Sequence, residues 1–421
     1  MGAVSISRGP VWEGLTAPST WRSQREQAIS AHGVRVQTAD GASLLCATSG
    51  LWNVPLGYGN VVVADAVGAA LKSASYLSLF RSAHSYAQEA AEMLVARAGA
   101  AHYSRVVFAT SGAAANDLSM KLARQTAALR GRPRQNIIVG LQGSYHGLTY
   151  GALSISGDGL GQPLYGADRR AVRHVSPHDG GAQLRALFAR EGERIAALVL
   201  EPVLGSGASE LDQEFLAAVA DVRAAFDVVL IADEVATGFG RTGLLFATES
   251  WPVAPDVLVL SKALTNGAAA ASAVLVSAQL CDVFDRNDAV FVHAETQAGT
   301  PASCAAMTAT AAEFDRMGAL RLAQELGAAL DHMIMRLAEQ PWAGSVHGRG
   351  CFRSLSLTTA GRPMDAVEVT AVVAAIRRAG AIVQPGPSCI QLIPAYIYEN
   401  AQLEELETAI LQGVHDSALA A

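Results

Sequence analysis

The sequence is poor in lysine, in charged residues and in paired cysteines. Only three of the 421 residues are lysines, Lys72, Lys121 and Lys262, and 16% of the chain is charged. The five cysteines are scattered, and none has the CxxC or CxxxH spacing of a zinc site. This usage indicates free thiols in a reducing cytoplasm and no structural metal. Any chemistry that needs an amine nucleophile therefore has three candidates.

Long apolar runs and basic clusters are also missing. No stretch of about 18 residues is apolar without a charge, so we expect no membrane-spanning helix. The first 16 residues contain no basic segment followed by an apolar run, so we expect no signal peptide. The net charge is −7, which gives no reason to expect a nucleic-acid partner. What the chain has is a hydrophobic content of 51%, enough for a large core in two or three domains.

The middle of the chain alternates short, continuous apolar runs with amphipathic helical stretches. This pattern predicts an α/β fold with a mainly parallel sheet covered by helices on both faces. In such sheets, ligands bind at the carboxyl ends of the strands. Polar residues follow four of the apolar runs directly: 110–112, Glu201, Asp233 and Lys262. We expect them to share one site.

The last hundred residues predict a smaller α+β domain. It would contain one long helix over about 302–340 and a polar bend at 347–350 that leads into a strand. Strand-like segments in the first fifty residues are too short to fold alone. The expected division is therefore an N-terminal segment, 1–55, that joins the small domain, a large domain, 56–305, and the small domain proper, 306–421.

Lys262 and Asp233 are the strongest chemical candidates. Lys262 follows the buried run VLVL, where loss of hydration lowers the pKa of an amine; the alternative is a surface lysine at a strand end. Asp233 follows VVLIA and could ligate a metal, act as a base or pair with a cationic ring nitrogen. A Schiff-base lysine with such an acid is the minimal apparatus for pyridoxal phosphate. Lys72 and Lys121 lie in helical patterns and are interpreted as solvated or paired.

Two further segments suit the same cofactor, although each is weak alone. Ser111, Gly112 and Ala113 lie between a strand and a helix, where backbone amides bind anions such as phosphate. Such residues are also common as ordinary helix caps. Tyr145 and His146, in the YHG tripeptide, place an aromatic ring where it can stack on a cofactor.

Together these segments resemble the class III pyridoxal-phosphate-dependent aminotransferases of fold type I, from about Asp40 to the C-terminal region. The matching segments are TSGAAANDLSMKLAR, SYHG, LVLEPVLGSGA, IADEVATGFGRTG, PDVLVLSKALTNG and HAETQAGTPASCAA. The resemblance implies a large cofactor-binding domain with a mixed, mainly parallel seven-stranded sheet, and a small α+β domain. It also implies a homodimer.

The resemblance implies a role for each matching residue. Lys262 corresponds to the lysine that binds the cofactor and moves the proton, and Asp233 to the acid that keeps the ring nitrogen protonated. Tyr145 and Val235 correspond to the residues on the two faces of the ring. Thr296 corresponds to a threonine that reaches the phosphate from the neighbouring subunit. The full set of implied cofactor-binding residues is Ser111, Gly112, Ala113, Tyr145, His146, Glu201, Asp233, Val235, Lys262 and Thr296.

Departures from the family pattern bear on the substrate. Ala114 and Ala236 stand where a Glu and a Gln are usual, and the second change is shared by the ω-transaminase branch. Trp52 and Phe80 also resemble substrate-pocket residues of that branch; the alternative for Trp52 is a core aromatic.

Two glutamines, Gln384 and Gln391, stand where relatives keep an arginine. A guanidinium is the natural partner of a carboxylate. We therefore expect at least one substrate without an α-carboxylate, unless another arginine such as Arg353 binds it.

The expected reaction is a two-step transamination by way of pyridoxamine phosphate. A small-molecule amine donor would supply the amino group, and a ketone or aldehyde would accept it. One alternative is a tailoring enzyme that aminates a ketone of a natural product or of a daptide-like ribosomal peptide. Another is an aminomutase, racemase or decarboxylase on the same scaffold.

Overall fold

The structure is a computed structural model that describes residues 10–157 and 159–419. The first nine residues of the segment inspected for a signal peptide lie outside the described residues. The helices are α1 (Ser49–Trp52), α2 (Val61–Ser73), α3 (Ser85–Ala98), α4 (Gly112–Leu129), α5 (Tyr150–Ile155), α6 (Ala182–Glu191), α7 (Gln213–Phe226), α8 (Ala278–Arg286), α9 (Pro301–Arg316), α10 (Ala319–Ala338), α11 (Ala366–Arg378) and α12 (Asn400–Leu419).

The strands belong to several sheets and are numbered in chain order. They are β1 (Ala28–His32), β2 (Arg35–Thr38), β3 (Ser43–Cys46), β4 (Tyr103–Ala109), β5 (Ile137–Leu141), β6 (Val172–Val175), β7 (Ile195–Leu200), β8 (Val203–Leu204), β9 (Ser209–Glu210), β10 (Val229–Asp233), β11 (Val257–Leu260), β12 (Ser272–Ser277), β13 (Ala343–Arg349), β14 (Phe352–Thr359), β15 (Arg362–Pro363), β16 (Ala381–Ile382), β17 (Gln384–Gly386) and β18 (Cys389–Leu392).

A seven-stranded sheet forms the centre, in the order β4-β12-β11-β10-β7-β5-β6. Strand β12 runs antiparallel to both neighbours, and the other pairs are parallel. Strands β7, β10 and β11 are buried throughout, because hydrophobic clusters cover both faces. Val199 and Ile231 pack in one cluster, and Leu198 and Leu230 in another. The predicted mixed, mainly parallel sheet is confirmed.

The parallel direction brings three polar residues to one edge of this sheet. Strand β7 is followed by Glu201, β10 ends at Asp233, and β11 is followed two residues later by Lys262. Paired registers connect all three strands. The site expected at the carboxyl ends of the strands therefore has a structural basis.

Chain ends that are distant in sequence meet in a smaller sheet, ordered β1-β2-β3-β16. Strand β3 pairs in parallel with β16, Leu45 opposite Ala381. A separate five-stranded sheet is formed by strands of the C-terminal part alone: β13, β14, β15, β17 and β18. These pairings support the division into 1–55, 56–305 and 306–421, which we keep as a proposal.

Two details of the C-terminal prediction are wrong. The helix expected over 302–340 is two helices, α9 and α10, because Gly318 adopts φ +61°, which a right-handed helix cannot contain. The bend expected at 347–350 is mostly strand. Strand β13 continues to Arg349, which pairs with Phe352, so only Gly350 and Cys351 form the turn.

The described residues also give two negative findings. None of their helices has the length and apolar character needed to cross a membrane. None of their His, Cys, Asp and Glu side chains gather in groups of three or more that could hold a metal ion.

Candidate active site

A cavity of about 420 Å³ opens at the edge of the sheet where β7, β10 and β11 end. It brings together eleven of the fourteen site residues expected from the sequence: Trp52, Gly112, Ala113, Tyr145, His146, Glu201, Asp233, Val235, Lys262, Gln384 and Gln391. Ser111, Phe80 and Thr296 do not line it.

Lys262 begins a single 3-10 turn, Lys262–Thr265, directly after β11. Its φ of +45° is unusual for a residue with a side chain, and such strain is typical of functional positions. Its Nζ lies 4.1 Å from the centroid of the Trp52 ring. Burial lowers the pKa of this amine to about 8, although the charges of Asp233 and Glu201 act in the opposite direction. The amine is therefore suited to nucleophilic attack near neutral pH.

Asp233 is buried and held by three donors. Its Oδ2 accepts hydrogen bonds from Asn116 Nδ2 and His146 Nδ1, both at 2.7 Å. Its Oδ1 accepts from the backbone N–H of Val235 at 3.1 Å. These bonds fix the carboxylate at the cavity wall, where an acid for a cationic ring nitrogen is needed.

His146, which also lines the cavity, supports this arrangement. Because a carboxylate only accepts, His146 Nδ1 carries the proton in the bond to Asp233. Burial lowers the pKa of His146, but the hydrogen bond and charge of Asp233, with the charge of Glu201, outweigh it and raise the pKa. Within the described chain, the buried Nε2 of His146 has no hydrogen-bond partner.

Glu201 joins two loops at the cavity. Its Oε2 accepts from the backbone N–H of Tyr145 at 2.8 Å, and its Oε1 accepts from that of Gly205 at 2.9 Å. Burial raises its pKa to about 7. The two hydrogen bonds of Glu201 position the backbone of Tyr145, whose half-exposed ring lines the cavity.

The N-terminus of α4 provides an anion-binding end. Ser111 caps this 18-residue helix by accepting from the N–H of Ala114, while Gly112 and Ala113 face the cavity. A Cβ added at Gly112 would lie 3.0 Å from both γ-carbons of Val235, so glycine allows the helix end to approach that side chain. Helix N-termini of this kind bind phosphate. With the amine of Lys262 and the acid Asp233, the residues present fit pyridoxal phosphate.

The two glutamines lie in the cavity as expected. Gln391 is buried, and its Nε2 donates to the carbonyl of Gly205 at 2.8 Å. Gln384 pairs with it across β17 and β18. The alternative that Arg353 binds a carboxylate is not supported, since its guanidinium pairs with Asp331 and the carbonyl of Gly348 and does not line the cavity.

Phe80 and Thr296 lie outside this cavity. Phe80 is half-exposed and lines a second cavity of about 310 Å³ with His293 and Glu295. Thr296 follows Glu295 directly, and its side chain is exposed. In its own chain Phe80 lines this second cavity and not the candidate active site, so its expected place near the substrate stays a prediction.

Sequence reasoning missed residues that hold the site from behind. Asn116 lies one helical turn after Gly112 and reaches Asp233, so its spacing within α4 was the available signal. Arg241, in the GFGRTG segment, contacts the turn that carries Trp52. No local sequence pattern indicates the contact between Arg241 and the turn of Trp52.

The family is decided by a match along almost the whole chain. The family model for class-III aminotransferases matches residues 23–414. The chain belongs to the class-III aminotransferases. The resemblance read from its motifs is thereby confirmed, as is the enzyme class.

Individual relatives of this aminotransferase agree with the family. It is 34% identical to the acetylornithine aminotransferase of Mycobacterium tuberculosis over 400 residues, which cover 93% of this chain and 92% of that protein. It is 30% identical to an omega-aminotransferase of Caulobacter vibrioides over 71% of this chain and 73% of that one. Its fold superposes with a TM-score of 0.92 on the PLP-bound crystal structure of an amine transaminase from an uncultivated Pseudomonas species. That likeness covers 98% of this chain and 99% of the other, at 26% identity.

Proposed function

We propose that this aminotransferase binds pyridoxal phosphate at Lys262 and transfers an amino group from a small-molecule amine donor to a ketone or aldehyde without an α-carboxylate. One observation carries the acceptor class. Among the described residues that line the cavity, Lys262 is the only lysine or arginine. Gln384 and Gln391 present neutral amides at the positions where relatives keep a guanidinium.

The side chains of the cavity have separable tasks. The cofactor, when bound, supplies an electron sink for the carbon that carries the amino group. Lys262 Nζ binds the cofactor and then moves a proton to and from that carbon. Asp233 holds the proton on the ring nitrogen, and His146 and Asn116 keep its carboxylate in place. Tyr145 and Val235 confine the ring, and the N-terminus of α4 binds the phosphate.

The neutral amides disfavour a substrate carboxylate. A carboxylate bound to an amide in place of a guanidinium loses a charge-assisted, bidentate contact. Hydrogen bonds to charged groups suggest a loss of about 2 kcal/mol, or roughly 30-fold in kcat/KM. The Nε2 of Gln391 already donates a hydrogen bond to the carbonyl of Gly205, which leaves it less able to bind a substrate carboxylate.

The test compares a methyl ketone or aldehyde with the matching ketoacid as acceptor, in wild type and in Gln384→Arg. We expect wild type to prefer the acceptor without the carboxylate, and Gln384→Arg to shift the kcat/KM ratio towards the ketoacid by roughly 30-fold. Gln412→Arg is the matched control, because Gln412 is exposed on α12 and lies outside the cavity. A wild type that prefers the ketoacid by tenfold or more contradicts the proposed acceptor class.

A homodimer with shared active sites is part of the same proposal. Thr296 begins the turn that follows the segment 289–295, in which Val290 and Val292 are exposed, and Glu295 of that segment lines the second cavity with Phe80. Apart from Ser111, which caps α4, the expected site residues that miss their own cavity are Phe80 and Thr296, and both lie by the second cavity. A partner subunit seated there would receive both in its active site.

A larger acceptor, on a natural product or a peptide, is the second candidate. The mouth of the cavity carries exposed aliphatic side chains: Leu15 is 87% exposed, Leu51 58% and Leu148 41%. They would contact an apolar acceptor that extends beyond 420 Å³. Release of a keto product from the added donor separates both candidates from an aminomutase, racemase or decarboxylase.

We also propose a cytoplasmic location, since all five cysteines are free and buried.

A further inference from the structure

Arg241 carries a fully buried guanidinium with unusual partners. Its side chain is 0% exposed, and in the described chain no carboxylate forms an ion pair with it. Its Nη1 donates to the carbonyl of Pro394 at 2.6 Å, and its guanidinium lies 5.0 Å from the centroid of the Tyr396 ring. Burying a cation without a carboxylate is costly, so its remaining contacts are of interest.

Those remaining contacts go to one strained turn. Arg241 Nη2 donates to Ser49 Oγ at 2.6 Å and to the carbonyl of Trp52 at 3.4 Å. The hydroxyl of Ser49 in turn donates to the carbonyl of Ile393 at 2.8 Å. The guanidinium therefore holds both ends of α1 against the C-terminal part of the chain.

The turn α1 is left-handed throughout. Its φ values are +41° at Ser49, +61° at Gly50, +57° at Leu51 and +72° at Trp52. Side chains other than glycine disfavour this conformation, so outside contacts must maintain it. Arg241 provides two of them, and they bind the first and the last residue of the turn.

The turn determines where the Trp52 ring lies. The ring packs against Phe352 at a centroid distance of 5.0 Å and covers the amine of Lys262 at 4.1 Å. Leu51, the preceding residue, points to the exposed mouth of the same cavity. A relaxed turn would move both side chains and leave the lysine open to solvent.

We infer that Arg241 is a positioning residue, which holds Trp52 against Lys262 through α1 and so shields the bond between Lys262 and the cofactor from solvent. This inference rests on the proposed binding of pyridoxal phosphate at Lys262. Arg241 does not itself line the cavity, and through it the GFGRTG segment, distant in sequence, becomes part of the active-site cover.

The experiment measures how fast sodium cyanoborohydride reduces the lysine–cofactor bond in the holoenzyme, by loss of absorbance and by mass spectrometry of the Lys262 peptide. The variants are Trp52→Ala, Arg241→Lys and Ser49→Ala. We expect each to accelerate reduction, Trp52→Ala by about tenfold and the other two by threefold or more. Arg241→Lys combined with Trp52→Ala should be no faster than Trp52→Ala alone, because both act through the same ring.

The control is Arg223→Lys, which disturbs a largely buried guanidinium paired with Asp256, outside the cavity. It should lower the melting temperature without changing the reduction rate. Reduction rates of Arg241→Lys and Ser49→Ala within 1.5-fold of wild type would overturn the inference and leave Arg241 with a structural role only. If Arg241→Lys does not fold, Ser49→Ala decides alone. A wild type without reducible cofactor on Lys262 would instead contradict the proposed function.

Discussion

Lys262, Glu201 and Asp233 are among the ionisable side chains that line the cavity, and burial shifts the pKa values of the first two in opposite directions. It lowers the pKa of Lys262 to about 8 and raises that of Glu201 to about 7. Both shifts reduce the amount of buried charge near neutral pH. The third, Asp233, is held by three donors from separate parts of the chain. The resulting site offers a nucleophilic amine beside a fixed carboxylate.

Glu201 gives stability a defined pH dependence. Between pH 4.5 and 7, the folded protein retains a proton that the unfolded chain has released, so this contribution is complete below 4.5 and is lost as the pH rises through 7. The variant Glu201→Gln has no titrating carboxyl group and so lacks this pH-dependent contribution to stability. The melting temperature of this variant should therefore fall less between pH 5 and 7.5 than that of wild type. Glu404→Gln, at an exposed position on α12, should follow wild type. Parallel curves for wild type and Glu201→Gln would show that the carboxyl group does not titrate in this range.

At the scale of elements, burial decides what the sequence could predict. Strand β7 has the bounds of the apolar run Ile195–Leu200, since a strand covered on both faces must be apolar throughout. Strand β13 was missed because it is half-exposed and polar. The break at Gly318 was missed because the apolar periodicity continues across it, and a single glycine inside such a pattern is ambiguous.

The same reasoning applies to the elements of the site. Residues that follow apolar strands, such as Glu201 and Lys262, could be found because the strand end itself locates them. Asn116 had only a weak signal, its position one helical turn after Gly112, because its partner Asp233 lies 117 residues away. The contact of Arg241 with Ser49 spans 192 residues and depends on how the N-terminal segment docks. Such contacts follow from tertiary packing, on which local patterns carry no information.

At the scale of the whole molecule, the cavity of one chain lacks Phe80 and Thr296, which the resemblance assigns to the site; Ser111, which also does not line it, caps α4. Phe80 lines the second cavity, and Thr296 directly follows Glu295 of that cavity, on a part of the chain that α4 contacts. Lys121 Nζ donates to the carbonyl of Val292 at 2.7 Å, and Gln125 Nε2 donates to that of Val290 at 2.8 Å. This arrangement supports the proposal that two chains complete each other's active sites.

A mixed dimer tests this proposal. We pair a Lys262→Ala chain with a Thr296→Ala chain, using two affinity tags to isolate the heterodimer. If Thr296 serves the partner's site, one site carries both defects and the other carries neither, so about half of the wild-type activity remains. If both residues serve the same chain, every site carries one defect and the activity is well below half. The second outcome would contradict the shared site.

The central claim is that Lys262 is the amine that binds pyridoxal phosphate for transamination. The direct measurement is reduction of the purified enzyme with sodium borohydride, followed by digestion and mass spectrometry of the peptides that contain Lys72, Lys121 and Lys262. The account predicts a pyridoxyl group on Lys262 alone, and loss of both this modification and the amino-transfer activity in Lys262→Ala. A modification at Lys72 or Lys121, or a Lys262→Ala variant that keeps the modification and the activity, would contradict it.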